Sequence, residues 1–234
     1  MQVHVGTSGY NYPEWKGTFY PAKLPAAQML SYYADRFATV EINYTFYRMP
    51  NAKTIAEWDA VTPQNFTFVL KAPQRITHLA RLKFVDKPLG YFCDMAGKLG
   101  TKLGPVLFQL PPNFKKDVQR LTELFPLLPA DLRCAWEFRH ESWFSDDVYD
   151  ALRAHSAALC VADTEAGTTP LVATATFGYF RLRDEGYTKK NLEKWRGTLE
   201  KIGTGWGDAF VFFKHEEAGL GPALAQKFVG LFAK

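Results

Sequence analysis

Three carboxylates, Glu41, Glu137 and Asp163, stand where β-rich runs give way to polar residues, and Lys71, Arg139, Arg181, Arg183 and Lys214 occupy equivalent places in other runs. Two carboxylates facing each other can share acid, base and nucleophile roles, as in glycoside hydrolysis. Arginine offers a planar fork suited to phosphate or carboxylate. Because the cations outnumber the acids, a small anionic ligand or a nucleic acid is the expected partner. Glu41, Glu137 and Asp163 are the candidate catalytic residues. Lys71, Gln109, Arg139, Arg181 and Lys214 are candidate ligands of the anion, and Tyr10, Asn43 and Trp143 complete the binding set, the rings of Tyr10 and Trp143 stacking on a base or sugar.

Two other arrangements compete with this one. Glu137 can pair with Arg139 or Arg181, and Asp163 with Lys214, forming an internal network that only orders the end of the fold. The chain is then a non-catalytic interaction scaffold. No metal site is expected from pattern, since the five histidines form neither H-E-x-x-H nor His-x-His. Mg²⁺ or Mn²⁺ held by Glu41, Glu137, Asp163, His215 and Glu216 is the remaining cofactor candidate. Ser8 lies in Gly6-Thr7-Ser8-Gly9, which is not a nucleophile elbow. Gly219-Leu220-Gly221-Pro222 opens the last helical stretch, where exposed N–H groups can hold a phosphate or the loop can simply connect tightly.

These residues can meet only if the elements bearing them point the same way. Short apolar runs at 3–8, 39–44, 66–72, 105–110, 133–138, 157–162, 178–182 and 209–214 predict eight strands. Several are apolar on both alternating faces, as in Phe66-Thr67-Phe68-Val69-Leu70, which is the mark of parallel strands covered by helices. Between them run helix patterns with their own caps: Asn51, Asp117 and Thr188 before apolar stripes, and Pro222 in a first turn. Eight such units in 234 residues predict an α/β fold, a (β/α)₈ TIM-type barrel with eight parallel strands. The sixth helix is expected to be weak or missing, because Gly167 and Pro170 interrupt the segment between Asp163 and Phe177. In such a barrel, function gathers at the C-terminal ends of the strands.

Composition narrows the class further. The chain has 47% hydrophobic and 22% charged residues, and 28 Lys+Arg against 24 Asp+Glu give a net charge of +4, a mild surplus that permits an anionic partner without demanding one. No apolar run is long enough for a transmembrane helix, so no membrane partner is expected. Cys93, Cys134 and Cys160 form no C-x-x-C pair, and no secretory signal precedes them. Reduced thiols, a cytoplasmic location and one domain over residues 1–234 are therefore expected.

The run Val5-Gly6-Thr7-Ser8-Gly9-Tyr10, followed by Trp15-Lys16-Gly17-Thr18-Phe19-Tyr20-Pro21, resembles the domain-of-unknown-function family 72, the YecE-like proteins. Thr39 to Tyr47, Phe68 to Pro73, Leu107 to Phe114, Ala135 to His140, Tyr179 to Arg183 and Phe212 to Glu216 extend the resemblance along essentially the whole chain. The family implies a TIM-type barrel but no assigned activity. Its barrel is similar to those of apurinic endonucleases and xylose isomerases, which points to phosphodiester or phosphorylated-sugar chemistry by analogy. Many relatives carry Asn-Asn where this chain has Lys214-His215-Glu216, and His-Gly where it has Arg183-Asp184, so roles of those side chains do not transfer.

Overall fold

The computed structural model describes residues 1–232. Its strands are β1 (Gln2–Thr7), β2 (Thr39–Ile42), β3 (Thr67–Lys71), β4 (Leu103–Gln109), β5 (Cys134–Glu137), β6 (Ala158–Thr164), a two-residue β7 (Gly167–Thr168), β8 (Phe177–Leu182) and β9 (Asp208–Phe213). Apart from β7, which folds back antiparallel on β6, neighbours are parallel in the order β1-β9-β8-β6-β5-β4-β3-β2. Eight parallel strands thus form a nearly closed α/β barrel of the TIM type, as the two-sided apolar runs predict.

The helices outside it are α1 (Met29–Ala34), α2 (Tyr44–Tyr47), α3 (Ala52–Ala60), α4 (Asp86–Gly97), α5 (Val118–Leu124), α6 (Asp146–Ala154), α7 (Lys189–Ile202) and α8 (Leu220–Gly230). Asn51 and Asp117 accept backbone N–H bonds from Thr54 and Arg120, and Thr188 forms a capping box with Asn191. Between β6 and β8 there is no helix; β7 and a turn occupy that crossover, in line with its glycine and proline. The expected second strand stops early. Asn43 turns into the helical region and starts the single turn α2, so it sits on the strand's shoulder.

The β1/β2 seam is the one place where the barrel closes without a regular ladder. A lone bridge joins Ser8 to Glu41, and the Gly9 N–H donates to the Glu41 carbonyl at 2.8 Å. Below it the Tyr33 hydroxyl, fully buried, accepts from the Thr7 N–H at 2.8 Å and donates to the Thr39 carbonyl at 3.1 Å. One side chain from α1 thereby satisfies two backbone groups that a ladder would otherwise pair. Tyr33→Phe is expected to destabilise the protein by about 1–3 kcal/mol, because both groups lose their partner in a buried seam. Urea unfolding of the two proteins measures the difference.

Alternation along the strands divides the core in two. Outward residues pack against the helices, while Val69, Leu107, Ala135, Cys160, Tyr179 and Phe212 belong to a separate apolar cluster that fills the barrel. Two residues further along every one of these strands except β6, where Ala162 follows Cys160, the same inward parity delivers a polar side chain.

Candidate active site at the barrel mouth

Glu41 follows Thr39, Glu137 follows Ala135, and Arg181 follows Tyr179, each two residues on and therefore facing the same interior. They form the floor of the mouth, at 0%, 1% and 1% exposure. Arg181 Nη1 donates to Glu137 Oε2 at 2.5 Å and Nη2 donates to Glu41 Oε1 at 2.8 Å, so one guanidinium bridges both acids. Ser8 Oγ also donates to Glu41 Oε1, and Tyr179 Oη donates to Glu41 Oε2 at 2.6 Å. Asn43 Nδ2 donates to Ser8 Oγ at 2.7 Å. On the other side, Gln109 Nε2 and Arg139 Nε donate to Glu137 Oε1 at 2.6 and 3.0 Å.

Burial alone would push both glutamates toward the neutral acid. The Arg181 charge and the converging donors outweigh it, and both are held below the usual carboxylate range. Burial likewise opposes the Arg181 charge, but Glu41 and Glu137 overcome it and raise its pKa well above the ordinary value. The floor is an ionised triad in which both carboxylates are fully engaged and the Arg181 Nε alone lacks a partner among the described residues.

Above it the charge is positive. Arg139, with a third of its side chain exposed, and Arg183 both line a cavity of about 530 Å³, together with Glu137, Phe144, Thr168 and Pro170. No ion pair joins Arg183 to a carboxylate among the described residues. Burial and then the charges of Arg181 and Arg139 lower the pKa of Arg183. Lys214 reaches only Glu216, at 3.6 Å, and its pKa is lowered by burial and then by Arg183 and Arg181. His78 is pushed down to about 4 by burial and then by Lys71 and Arg139, so it is neutral near pH 7. The rim is a set of cations that repel one another.

Lys71 differs from the other cations. It is 8% exposed, its Nζ donates to Gln109 Oε1 at 2.7 Å, and it lies 4.0 Å from the centre of the Phe46 ring. No carboxylate lies within ion-pair distance of it among the described residues.

Not every sequence-predicted residue reaches this place. Cys160 faces the barrel interior, so Asp163, three residues on, faces out. Its carboxylate accepts from Thr168 Oγ1 at 2.5 Å and from Tyr187 Oη at 2.6 Å, and it neither joins Glu41 and Glu137 nor pairs with Lys214. Trp143 is fully buried, stacked 4.7 Å from Phe138, with its Nε1 donating to the Phe114 carbonyl at 2.7 Å. A ring in that position packs the loop and offers no face to a ligand, which corrects its place in the binding set. Tyr10 and Asn43 border a smaller cavity of about 220 Å³ beside Tyr44 and Trp58, near the β1/β2 seam. The Gly219 loop presses on Thr18, and a Cβ at Gly221 would meet the His215 carbonyl at 2.8 Å; it is a tight connection.

The oxygens of Glu41 and Glu137 are committed to hydrogen-bond donors, and no group of three His, Cys, Asp or Glu able to hold a metal comes together among the described residues. Tyr179, His78 and Phe46 belong to the mouth but were not among the predicted site residues. For Tyr179 the signal was present, since it shares the parity of Arg181. Phe46 comes from the single turn α2 and His78 from a helical turn after β3, whose course strand patterning does not define.

No helix among the described residues is long and apolar enough to cross a membrane. The sequence profile described as "Protein of unknown function DUF72" matches residues 4–234. UPF0759 protein YunF of Bacillus subtilis (strain 168) is 27% identical over 93% of this chain and 90% of its own length. UPF0759 protein YecE of Escherichia coli (strain K12) is 27% identical over 61% of this chain and half of its own length. Among solved structures, a DUF72 family protein of Thermotoga maritima MSB8 superposes over all of both chains with a TM-score of 0.86 and 26% identity. A DUF72 family protein of Enterococcus faecalis V583 covers 98% of this chain with a TM-score of 0.78 at 18% identity. With the profile spanning nearly every residue and the fold in agreement, the chain belongs to the DUF72 family.

Proposed function

We propose that the barrel binds a small phosphate-bearing anion in the cavity between Arg139 and Arg183, with phosphodiester or phosphorylated-sugar chemistry as the class of reaction. The carrying observation is that two arginines line one cavity and, among the described residues, only one of them has a carboxylate partner. Bringing cations together without counter-charge is unfavourable, and an anion between them removes the repulsion. Lys214 adds to the same field from β9's end.

The geometry favours this reading over two-carboxylate glycoside hydrolysis. A general acid needs a proton to give at neutral pH, which requires a raised pKa. Glu41 and Glu137 are both held ionised by Arg181. The filled, internally paired floor by itself suits a scaffold; the open, positive rim above it is what favours a ligand.

Arg183→Ala and Arg139→Ala are each expected to weaken inorganic phosphate or sugar-phosphate binding about tenfold to a hundredfold, the worth of one charge-assisted hydrogen bond. Calorimetric titration at low and moderate salt measures it. Affinity that neither substitution lowers, or that ignores ionic strength, removes the reading.

A further inference from the structure

We infer that Lys71 is a nucleophilic amine that forms an imine with a small carbonyl compound, its side chain presented to the mouth by Gln109. The inference concerns a residue that anion binding does not use, and it rests on that reading only for the charge expected on the natural carbonyl ligand.

The arrangement around Nζ is built from five elements. From β4, Gln109 Oε1 accepts an Nζ hydrogen at 2.7 Å. The orientation of that amide is set by its other end, where Nε2 donates to the ionised Glu137 on β5. Gln109 therefore turns its oxygen to Lys71, binds an N–H, and leaves the nitrogen lone pair free. From β8, Arg181 bridges Glu41 and Glu137, so each acid has a nearer cationic partner than the lysine. Arg139, after β5, adds a second positive charge, and His78, in the loop after β3, is neutral. Of the groups facing Nζ, the Phe46 ring on α2 favours the ammonium, as do the remote charges of Glu137 and Glu41.

The balance is clear in direction. Burial, then Arg181, outweigh the attraction of Glu137 and Glu41 and bring the Lys71 pKa down to about 7. A lysine desolvated beside other cations is the usual way a protein obtains an amine that is neutral and reactive at neutral pH. Only one hydrogen-bonded side chain, Gln109, separates it from Glu137 in the cavity wall. A carbonyl compound whose anionic group rests on Arg139 is the class of ligand that would use both features.

The step balances without any further reagent. The Nζ lone pair attacks the carbonyl carbon, and the C=O π pair moves to oxygen, which takes the proton that nitrogen sheds. The carbinolamine oxygen takes a second proton from water and leaves as water while nitrogen forms the C=N bond. The product is a protonated imine, which accepts hydride at carbon.

Reductive trapping tests this directly. The protein is incubated near neutral pH with sodium cyanoborohydride and either glyoxylate or propionaldehyde, and modified lysines are located by peptide mass spectrometry. Lys71 is expected to be alkylated at least tenfold faster than the median surface lysine. Competitive acetylation across pH should show its reactivity titrating near 7, about three units below exposed lysines. Labelling of Lys71 no faster than the exposed lysines, or a reactivity midpoint near theirs, overturns the proposal. Preference for glyoxylate, lost in Arg139→Ala, supports both the amine and the anion site. Fast labelling of Lys71 by both aldehydes alike supports the amine while removing the anion reading, so the two failures are distinguishable. Because these readouts use the unaltered chain, they do not depend on a Lys71 variant folding.

Discussion

Arg181→Met is expected to cost about 3–5 kcal/mol of stability, enough to unfold much of a protein of ordinary stability. The substitution keeps the length of the stem and removes the guanidinium that donates to Glu137 and Glu41. Two ionised carboxylates would then stand in a cavity floor with almost no exposure, joined only by neutral donors and by Arg139 at one edge. The effect is strongest at neutral pH. In the native protein both glutamates have pKa values below the unfolded ones, so their stabilising contribution is complete above the unfolded carboxylate pKa of about 4.3. It is lost as pH falls through the folded values. In Arg181→Met, burial without the cation raises those values instead, and protonation relieves the strain. The stability gap between native and variant proteins should therefore narrow as pH drops from 7 toward 4.5, which denaturant melts at several pH values will measure. A gap that is constant with pH would show that Arg181 acts by packing alone.

Gly6→Ala is the second large effect, and it acts on the closure of the barrel. A Cβ at Gly6 would lie 2.2 Å from the Thr39 carbonyl oxygen and 3.0 Å from the Tyr33 hydroxyl. The first contact is with backbone, so no rotamer change relieves it, and β1 must move away from β2. That displacement breaks the Tyr33 bonds to both strands and separates Ser8 from Glu41 two residues further on. A loss of about 3 kcal/mol or more is expected, at the upper end for overpacking. Gly90→Ala is the fitting control. Gly90 lies inside α4 with open space around its Cβ position, and alanine there should stabilise by up to about 1 kcal/mol. If thermal unfolding shows the two substitutions to be equivalent, the seam does not depend on close approach.

Both predictions turn on residues whose importance was unevenly legible. Glu41, Glu137, Arg181, Lys71 and Gln109 could be read from sequence because each ends an apolar run and shares the inward parity of the residue two before it. Asp163 satisfied the first criterion and failed the second, and counting from Cys160 explains why it faces Tyr187 instead. Trp143 was misread for another reason: an aromatic after a strand looks the same whether it covers a ligand or plugs a loop. Its stacking on Phe138 and its bond to Phe114 join segments 29 residues apart, a pairing that no local pattern announces. Tyr33 likewise reads as one member of the α1 apolar stripe, and nothing local shows that its hydroxyl reaches two strands.

Barrel architecture, the missing helix after β6 and the end of the barrel where the charged side chains gather follow from periodicity and from turn-forming residues, which act over a few positions at a time. The protonation of Lys71, the bridging of both glutamates by one arginine and the absence of a carboxylate partner for Arg183 among the described residues depend on charges contributed by separate strands and loops. Electrostatic energies in a low-dielectric interior vary steeply with distance over a few ångströms. Only the folded barrel sets those distances, because it alone brings residues 41, 71, 109, 137 and 181 into one hydrogen-bonded network.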